Sequence, residues 1–557
     1  GWQASGDGKL TINMHIPLDT DGVGSKVKGS YIVSNGSITS EGANPDLTNI
    51  NGKLEYTESS LRGQNVNAQI YGWPVQISLA SGQDGWIHAS IKGRMTEALI
   101  RQAAASPWAE KLHGAADWNA EISVRKPEYN MVITSSLVGL SSSLPPPFDK
   151  GATDTLPLRI ERKLQGIRQD LTSVSLGDII SAKLLRLGQG GVMQTERGEI
   201  NLGGNAELPA QTGVILKGNI AHLDVDQWQT LIGDTKGEGS KVTINSASLG
   251  IGTLDISGRR INELTLNAKP ITDGWQMNLQ SREINGDVSW LRGGNGKIIA
   301  RLKSLIVPPA APAKISDADT AVKKDREYPA LDIVAEEFEV KQKKLGHLEL
   351  QASEQSDSWR IEKLRISNPD SILSADGEWL NWKHSPNTRM NINWAISDVG
   401  KTLERFGYPN TVKGGNTDFI GQLNWPGSPH EFDVLGLNGT FKVDARNGQI
   451  LQIEPGVARL FSVLSLQNLP RRLTFDFRDV FSSGFVFDKV SANAKIDHGV
   501  MSSNDFIMEG PAARVEMKGE TDLHKETQHL WVNVTPYIIS DSVTLASMVG
   551  GPAVAAA

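Results

Sequence analysis

Apolar and polar residues alternate in short segments along nearly the whole chain. Over residues 490–496 every second residue is apolar, and serine, asparagine and lysine lie between them. The same period of two recurs at 10–16, 331–335, 390–396 and 530–534. Because successive side chains of a strand point to opposite faces, each segment predicts a strand with one apolar and one polar face. We therefore expect a mostly β protein with an elongated, curled antiparallel sheet whose apolar face needs a cover.

Helical patterns are few and short, and they interrupt the strand pattern. Apolar spacing predicts helices over 95–112, 173–187, 224–232, 397–406 and 455–466. We expect these helices to be insertions that lie on the sheet.

Two proline-rich breaks interrupt the pattern. The first is Leu144–Phe148, and the second, 307–328, mixes proline, alanine and charged residues without an apolar period, which is typical of a loop. The second break predicts an N-terminal part, 1–306, and a C-terminal part, 329–557, built in the same way.

Asn-Gly pairs mark many points along the strand pattern. They begin at residues 35, 51, 285, 438 and 447. Because Asn-Gly favours the tight turns of two-residue hairpins, these pairs predict hairpins and an up-and-down meander.

The composition argues against several classes of function. The formal net charge is −7, which disfavours nucleic acid as a partner, and the chain has no cysteine for disulfides, thiol catalysis or cysteine-ligated metals. The sequence contains no HExxH motif, P-loop, dinucleotide fingerprint or nucleophile elbow. We therefore expect no catalytic residues, no metal site and no cofactor, and hence no enzyme.

Alternation alone does not determine what covers the apolar face. A sandwich or a closed barrel would hide that face within the protein, whereas an open, curled sheet would leave it to an apolar ligand. Small residues at inward positions, such as Gly218, Gly421, Ala492 and Ala494, would leave room for acyl chains. A carbohydrate-active β-solenoid enzyme is a third alternative, which is disfavoured because no cluster of carboxylates and aromatic residues stands out.

Several short motifs run along the chain and are densest after Gly448. They are Arg459-Leu460, Leu-Pro-Arg-Arg-Leu at 469–473, Gly-Phe-Val-Phe-Asp at 484–488 and Gly-Pro-Ala-Ala at 510–513, with shorter ones at 15–18, 72–75, 144–150, 197–200 and 376–379. Together they resemble the YhdP family, whose C-terminal AsmA-like region the stretch 448–523 resembles most specifically.

The resemblance implies a bridge of repeating β-groove units with a hydrophobic interior. Such a bridge is anchored in the bacterial inner membrane, crosses the periplasm to the outer membrane, and carries phospholipid in support of outer-membrane lipid homeostasis, with membrane proteins as further partners. The chain opens at Gly1 without an initiator methionine and stops within the apolar stretch 543–557. We therefore expect a fragment without the N-terminal anchor and the extreme C-terminus, ending in a truncated apolar helix.

In such a groove, acyl chains would lie against the apolar faces of the strands. The residues expected to line it are the apolar members of four alternating segments: Leu331, Ile333, Met390, Ile392, Trp394, Ile396, Val490, Ala492, Ala494, Ile496, Leu530, Val532 and Val534. The alternative is a structural envelope scaffold whose own helices and strands cover the apolar face, without lipid conduction.

Overall fold

The computed structural model describes most of the chain. The described residues are 2–16, 26–40, 43–82, 84–104, 106–125, 128–165, 169–189, 192–232, 243–293, 295–309, 328–355, 358–380, 386–429, 434–451, 484–525 and 527–537. The predicted helix over 455–466, most of the predicted loop 307–328 and the apolar tail 543–557 lie outside them.

The predicted β class is confirmed, and the strands fall into two compact units. The first unit contains the described residues up to Arg282, and the second contains those from Glu283. The strands of the first unit are β1 Trp2–His15, β2 Lys26–Ser40, β3 Ala43–Thr57, β4 Leu61–Ile70, β5 Trp73–Ser81, β6 Ile87–Thr96, β7 Leu112–Arg125, β8 Glu128–Ser135, β9 Leu140–Ser142, β10 Leu158–Gln165, β11 Gln169–Leu176, β12 Ile180–Gln189, β13 Val192–Leu202, β14 Gly213–Asp224, β15 Ile244–Ile256, β16 Arg259–Ile271 and β17 Gly274–Gln280. Those of the second unit are β18 Ile284–Leu291, β19 Lys297–Val307, β20 Ala330–Val340, β21 Lys343–Gln355, β22 Ser358–Asn368, β23 Ser371–Leu380, β24 Asn387–Ile396, β25 Val412–Pro426, β26 Asn438–Ile450, β27 Phe485–Asp497, β28 Val500–Glu509, β29 Ala513–Asp522 and β30 Thr527–Pro536.

Strand order within each unit follows the chain, as the meander predicts. In the first unit β1 to β8 pair in sequence, β8 pairs with β10, and pairing continues in order to β17, while the short β9 pairs beside β7. In the second unit β18 to β30 pair in sequence.

The sheet is mixed rather than antiparallel throughout. Three neighbouring pairs are parallel: β13 with β14, β14 with β15, and β19 with β20. A parallel step needs a connection that returns to the starting end of the previous strand, which a tight turn cannot provide. The proline-rich segment that begins at Val307 lies between β19 and β20 in the sequence, and its composition predicts a loop without indicating that these two strands run parallel.

Three of the predicted helices are present. Helix α1, Glu97–Ala103, and a 3₁₀ helix, Pro107–Lys111, fall within the predicted 95–112, while α2, Val225–Ile232, and α3, Val399–Arg405, match their predicted segments. Each lies between two strands, as an insertion does.

The helix predicted over 173–187 is wrong, because this segment forms β11 and β12. A turn at Gly177, with φ of +49°, separates two runs that each alternate with period two. Val174 before the turn, Ile179 within it, and Ile180, Leu184 and Leu187 after it also approximate one face of a helix when they are read as one run. Because the turn is so short, the apolar residues of two strands together produce a helical pattern.

The Asn-Gly pairs do not form hairpin turns. All five lie within strands, and Asn35 and Asn447 have φ of 50° and 55°. The ladder register shifts at Gly36 and at Gly286, so these pairs act as β-bulges. The tight turns instead occur at positions such as Tyr71-Gly72, where both residues have positive φ.

Candidate functional site

Strand β24 shows how the predicted residues divide between the two faces of the sheet. Met390 is 6% exposed, and Ile392, Trp394 and Ile396 are half-buried. The residues at 391, 393 and 395 between them are exposed. The alternation in the sequence therefore predicts the faces of this strand residue by residue.

All thirteen predicted residues are buried or half-buried, and the structure gathers them in different places. Met390, Ile392, Leu331 and Ile496 belong to one apolar cluster of the second unit. Val490, Val532 and Val534 pack against another. The remaining six lie on the same strand faces as these cluster residues: Ile333, Trp394, Ile396, Ala492, Ala494 and Leu530.

The ladder register connects these residues into rows that run across the strands. Ile392 pairs with Ala375 on one side and Gly421 on the other, Gly421 pairs with Phe441, and Phe441 pairs with Ala494. Paired residues share a face, so this row is an apolar strip five strands wide. Gly421 is required in this strip because a Cβ there would lie 2.8 Å from the Phe441 Cβ.

Indole rings fill one end of this face. Trp359, Trp379 and Trp425 are each at most 8% exposed and form the first cluster with Met390. The Trp425 Nε1 donates to the Ser428 carbonyl oxygen at 3.1 Å, which satisfies a polar group that would be costly to bury unpaired. This end is therefore a closed core, and the row of Ile392 beyond it is more open.

The last strands of the second unit also enclose a core. Val515 is 0% exposed, Met508 is 1% exposed, and Phe485 and Phe487 pack with them. Val490, predicted to line a groove, packs against this closed cluster.

The first unit carries a comparable apolar face, for which no lining residues were predicted. Val66, Val75, Ile77, Ile91 and Ala120 are buried in a cluster that spans β4 to β7. The sequence of these strands shows the same alternation, from which this face could have been predicted, but glycine and asparagine interrupt it here. On β1 the apolar residues are exposed: Leu10, Ile12 and Met14, together with Ile16 just after the strand, are 47–65% exposed.

The opposite face of the second unit is polar and cross-linked by side chains. Gln422 Nε2 donates to Asn391 Oδ1 at 3.0 Å, and Asn391 Nδ2 donates to Asp376 Oδ2 at 3.0 Å. The Lys363 ammonium, which donates to Glu349, holds the pKa of that carboxyl below its ordinary value. A cleft of about 1140 Å³ crosses β22 to β28, and its lining includes polar residues of this face, such as Asn391 and Gln422, together with Ile392, Gly421 and Phe441 of the apolar strip.

An apolar cavity of about 510 Å³ lies in the first unit beside α2 and the 3₁₀ helix. Its lining includes Leu112, Leu137, Leu140, Phe148, Trp228 and Leu231. The Trp228 ring meets Phe148 edge-on at 5.7 Å, and its Nε1 donates to the Pro146 carbonyl oxygen at 3.3 Å. The sequence marked this segment only as a proline-rich break.

The described residues contain no group of three or more histidines and carboxylates that could hold a metal ion. Within the same residues, no helix is both long and apolar enough to cross a bilayer.

Comparison of the sequence with known proteins places this chain in a family. The sequence model described as "YhdP protein" matches residues 1–557. The chain is 24% identical over 579 aligned positions to the intermembrane phospholipid transporter YhdP of Escherichia coli strain K12, an alignment that covers 99% of this chain and 45% of that protein. The chain thus spans less than half the length of this relative. No solved structure matches. The match along the whole chain shows that it belongs to the YhdP family.

Proposed function

We propose that this chain forms a segment of an intermembrane phospholipid conduit, with the acyl chains lying along the apolar face of its sheet. The observation that carries the proposal is the apolar strip through Ile392, which crosses five strands and is half-open beyond the tryptophan-filled end. The name of the Escherichia coli relative supports phospholipid as the cargo.

The energetics of such a face suit transport. Each methylene group kept out of water retains about 0.8 kcal/mol, so a chain that slides from a bilayer onto an aliphatic wall loses little free energy. Aliphatic side chains make no directional bonds that would hold the lipid at one place. The wall would therefore let lipid pass without a chemical step, and we propose that the chain is not an enzyme.

The two membranes are proposed as partners of the whole protein, through segments other than those described. We place the chain in the periplasm, with the inner-membrane anchor and any membrane protein partners outside it. The resemblance and the relative's name support this placement.

A structural scaffold is the second candidate function. The closed cluster around Val515 and Met508 and the tryptophan-filled end favour it, because there the sheet covers its own apolar face. On this alternative the half-open row would carry no lipid.

Lipid analysis of the purified chain separates the two functions. We expect native mass spectrometry to detect bound phospholipid, and we expect the chain to speed transfer of a fluorescent phospholipid between donor and acceptor vesicles. A folded chain that repeatedly carries no phospholipid and leaves transfer at its spontaneous rate would contradict the conduit and favour the scaffold.

A further inference from the structure

An ion cluster around a buried aspartate interrupts the apolar face of the first unit. Ile133 of β8 pairs with the buried Ala120 and with Ile160 of β10, so Ile160 lies on the apolar face. Arg162, two residues further along β10, lies on the same face and pairs with Thr172 of β11.

Two more charged residues complete the cluster. Asp170 pairs directly with Arg186 of β12 and lies two residues before Thr172, so both share the face of Arg162. The alternation that predicts apolar residues at inward positions is therefore replaced here by two arginines and one aspartate.

The aspartate lies beneath the two guanidinium groups. Asp170 is 0% exposed, whereas the Arg162 and Arg186 side chains are 39% and 30% exposed. Asp170 Oδ2 accepts from Arg162 Nε at 2.8 Å and from Arg186 Nη2 at 2.5 Å, and Oδ1 accepts from the Thr172 hydroxyl at 3.1 Å. The carboxylate is thus fully engaged with its partners.

The guanidinium groups are not fully engaged. Each carries five N–H donors, and one carboxylate and one hydroxyl cannot accept them all. Arg186 Nε is buried and has no hydrogen-bond partner among the described residues. The cluster keeps a net charge of +1 and partly exposed donors on an otherwise apolar face.

The cluster lies close to the ends of its strands. Arg162, Asp170 and Arg186 are each within three residues of an end of β10, β11 or β12. A lipid whose chains lie across the middle of the face would place its polar end near such strand ends. A guanidinium fork matches the oxygens of a phosphodiester in both geometry and charge.

We propose that Arg162 and Arg186, positioned by Asp170, form a station that binds the phosphodiester group of a passing phospholipid. This inference rests on the proposed function, because it needs acyl chains on the same face. The competing role is a tether that only joins β10, β11 and β12.

A comparison of two lipids tests the station. The purified chain is titrated with phosphatidylglycerol and with diacylglycerol of the same acyl chains, which lacks the phosphate. Because hydrogen bonds to charged groups are stronger than those between neutral groups, we expect phosphatidylglycerol to bind about 10- to 100-fold more tightly. Arg186→Gln should lower this preference about tenfold.

Arg159→Gln provides the matched control. Arg159 also lies on β10 and also pairs with an acid, Glu161 at 3.3 Å, but it is 52% exposed on the opposite face. Its replacement should leave the lipid preference unchanged. If Arg186→Gln fails to fold, Arg186→Lys keeps the charge beside Asp170, and losing the fork should still lower the preference at least about threefold.

Asp170→Asn separates the station from a tether. This variant removes the buried carboxylate and raises the charge of the cluster, so we expect lower thermal stability with the phosphate preference kept or increased. If Asp170→Asn and Arg186→Gln both lower stability and leave the preference unchanged, the tether is right and the station is overturned. Equal binding of the two lipids by the unmodified chain would overturn the station alone. Binding of neither lipid would overturn the proposed function as well.

Discussion

A carboxylate in the middle of the apolar strip should block lipid without unfolding the sheet. Ile392→Asp makes this change at a half-buried residue flanked by Ala375 and Gly421 on the neighbouring strands. Since its neighbours are small, the isoleucine side chain is the largest apolar contact of its row on these three strands. The hydrated carboxylate would replace this contact.

The size of the effect follows from the area lost. Full burial of an isoleucine contributes about 1.5–3 kcal/mol, so a half-buried one should cost the protein about 1–1.5 kcal/mol. If the carboxylate keeps about three methylene groups of a bound chain off the wall, binding weakens by about 2.4 kcal/mol, or about 50-fold. The lipid defect should thus exceed the stability defect.

Asn393→Asp is the matched control, because it introduces the same charge one residue away on the exposed polar face. Lipid retention is measured by native mass spectrometry, transfer by the vesicle assay, and folding by circular dichroism with thermal unfolding. We expect Ile392→Asp to lose lipid and transfer while Asn393→Asp keeps both. Equal lipid retention in two folded variants would refute the assignment of this face to acyl chains.

Three further predictions concern the fold and its charges. Gly421→Ala should cost about 1–3 kcal/mol in chemical denaturation, since the added Cβ would lie 2.8 Å from the Phe441 Cβ; an unchanged midpoint would contradict this packing. Asp398→Ala should cost about 1 kcal/mol by removing the N-cap of α3, and an unchanged thermal midpoint would argue against the cap. The hydrogen bond from Arg260 chiefly lowers the pKa of Asp255 from 3.8 to about 2, so its stabilisation is present above about pH 4 and is lost as pH falls through about 2. Arg260→Gln should raise the pKa of Asp255 in an NMR titration, and an unmoved pKa would contradict the pairing.

The sequence was sufficient to predict the β class and the face of individual residues. Alternation has a direct physical cause in the pleat, so Met390 and Ile392 could be placed on the apolar face before any tertiary contact was known. The segment 173–187 shows the limit of the same method. Two short alternating runs around Gly177 also fit a helical period, and the choice between them depends on strand partners elsewhere in the chain.

Other features depend on contacts that the local sequence does not encode. Whether a strand runs parallel to the one before it depends on the end of the sheet from which it enters. The composition of the loop after Val307 does not indicate that end. Gly421 could be listed as small, but its reason is the close approach of Phe441 on the next strand. Arg162 and Arg186 share a face with Asp170 only through the register of three strands.

The central claim is that lipid lies on one face of the sheet. Site-specific photo-crosslinking along β24 tests it most directly, with a photoreactive residue placed in turn at each position from 390 to 396 and the purified chain incubated with phospholipid vesicles. The apolar face predicts crosslinks that alternate with period two, strong at 392, 394 and 396 and absent at 391, 393 and 395. Uniform labelling, or labelling confined to the exposed polar positions, would contradict it.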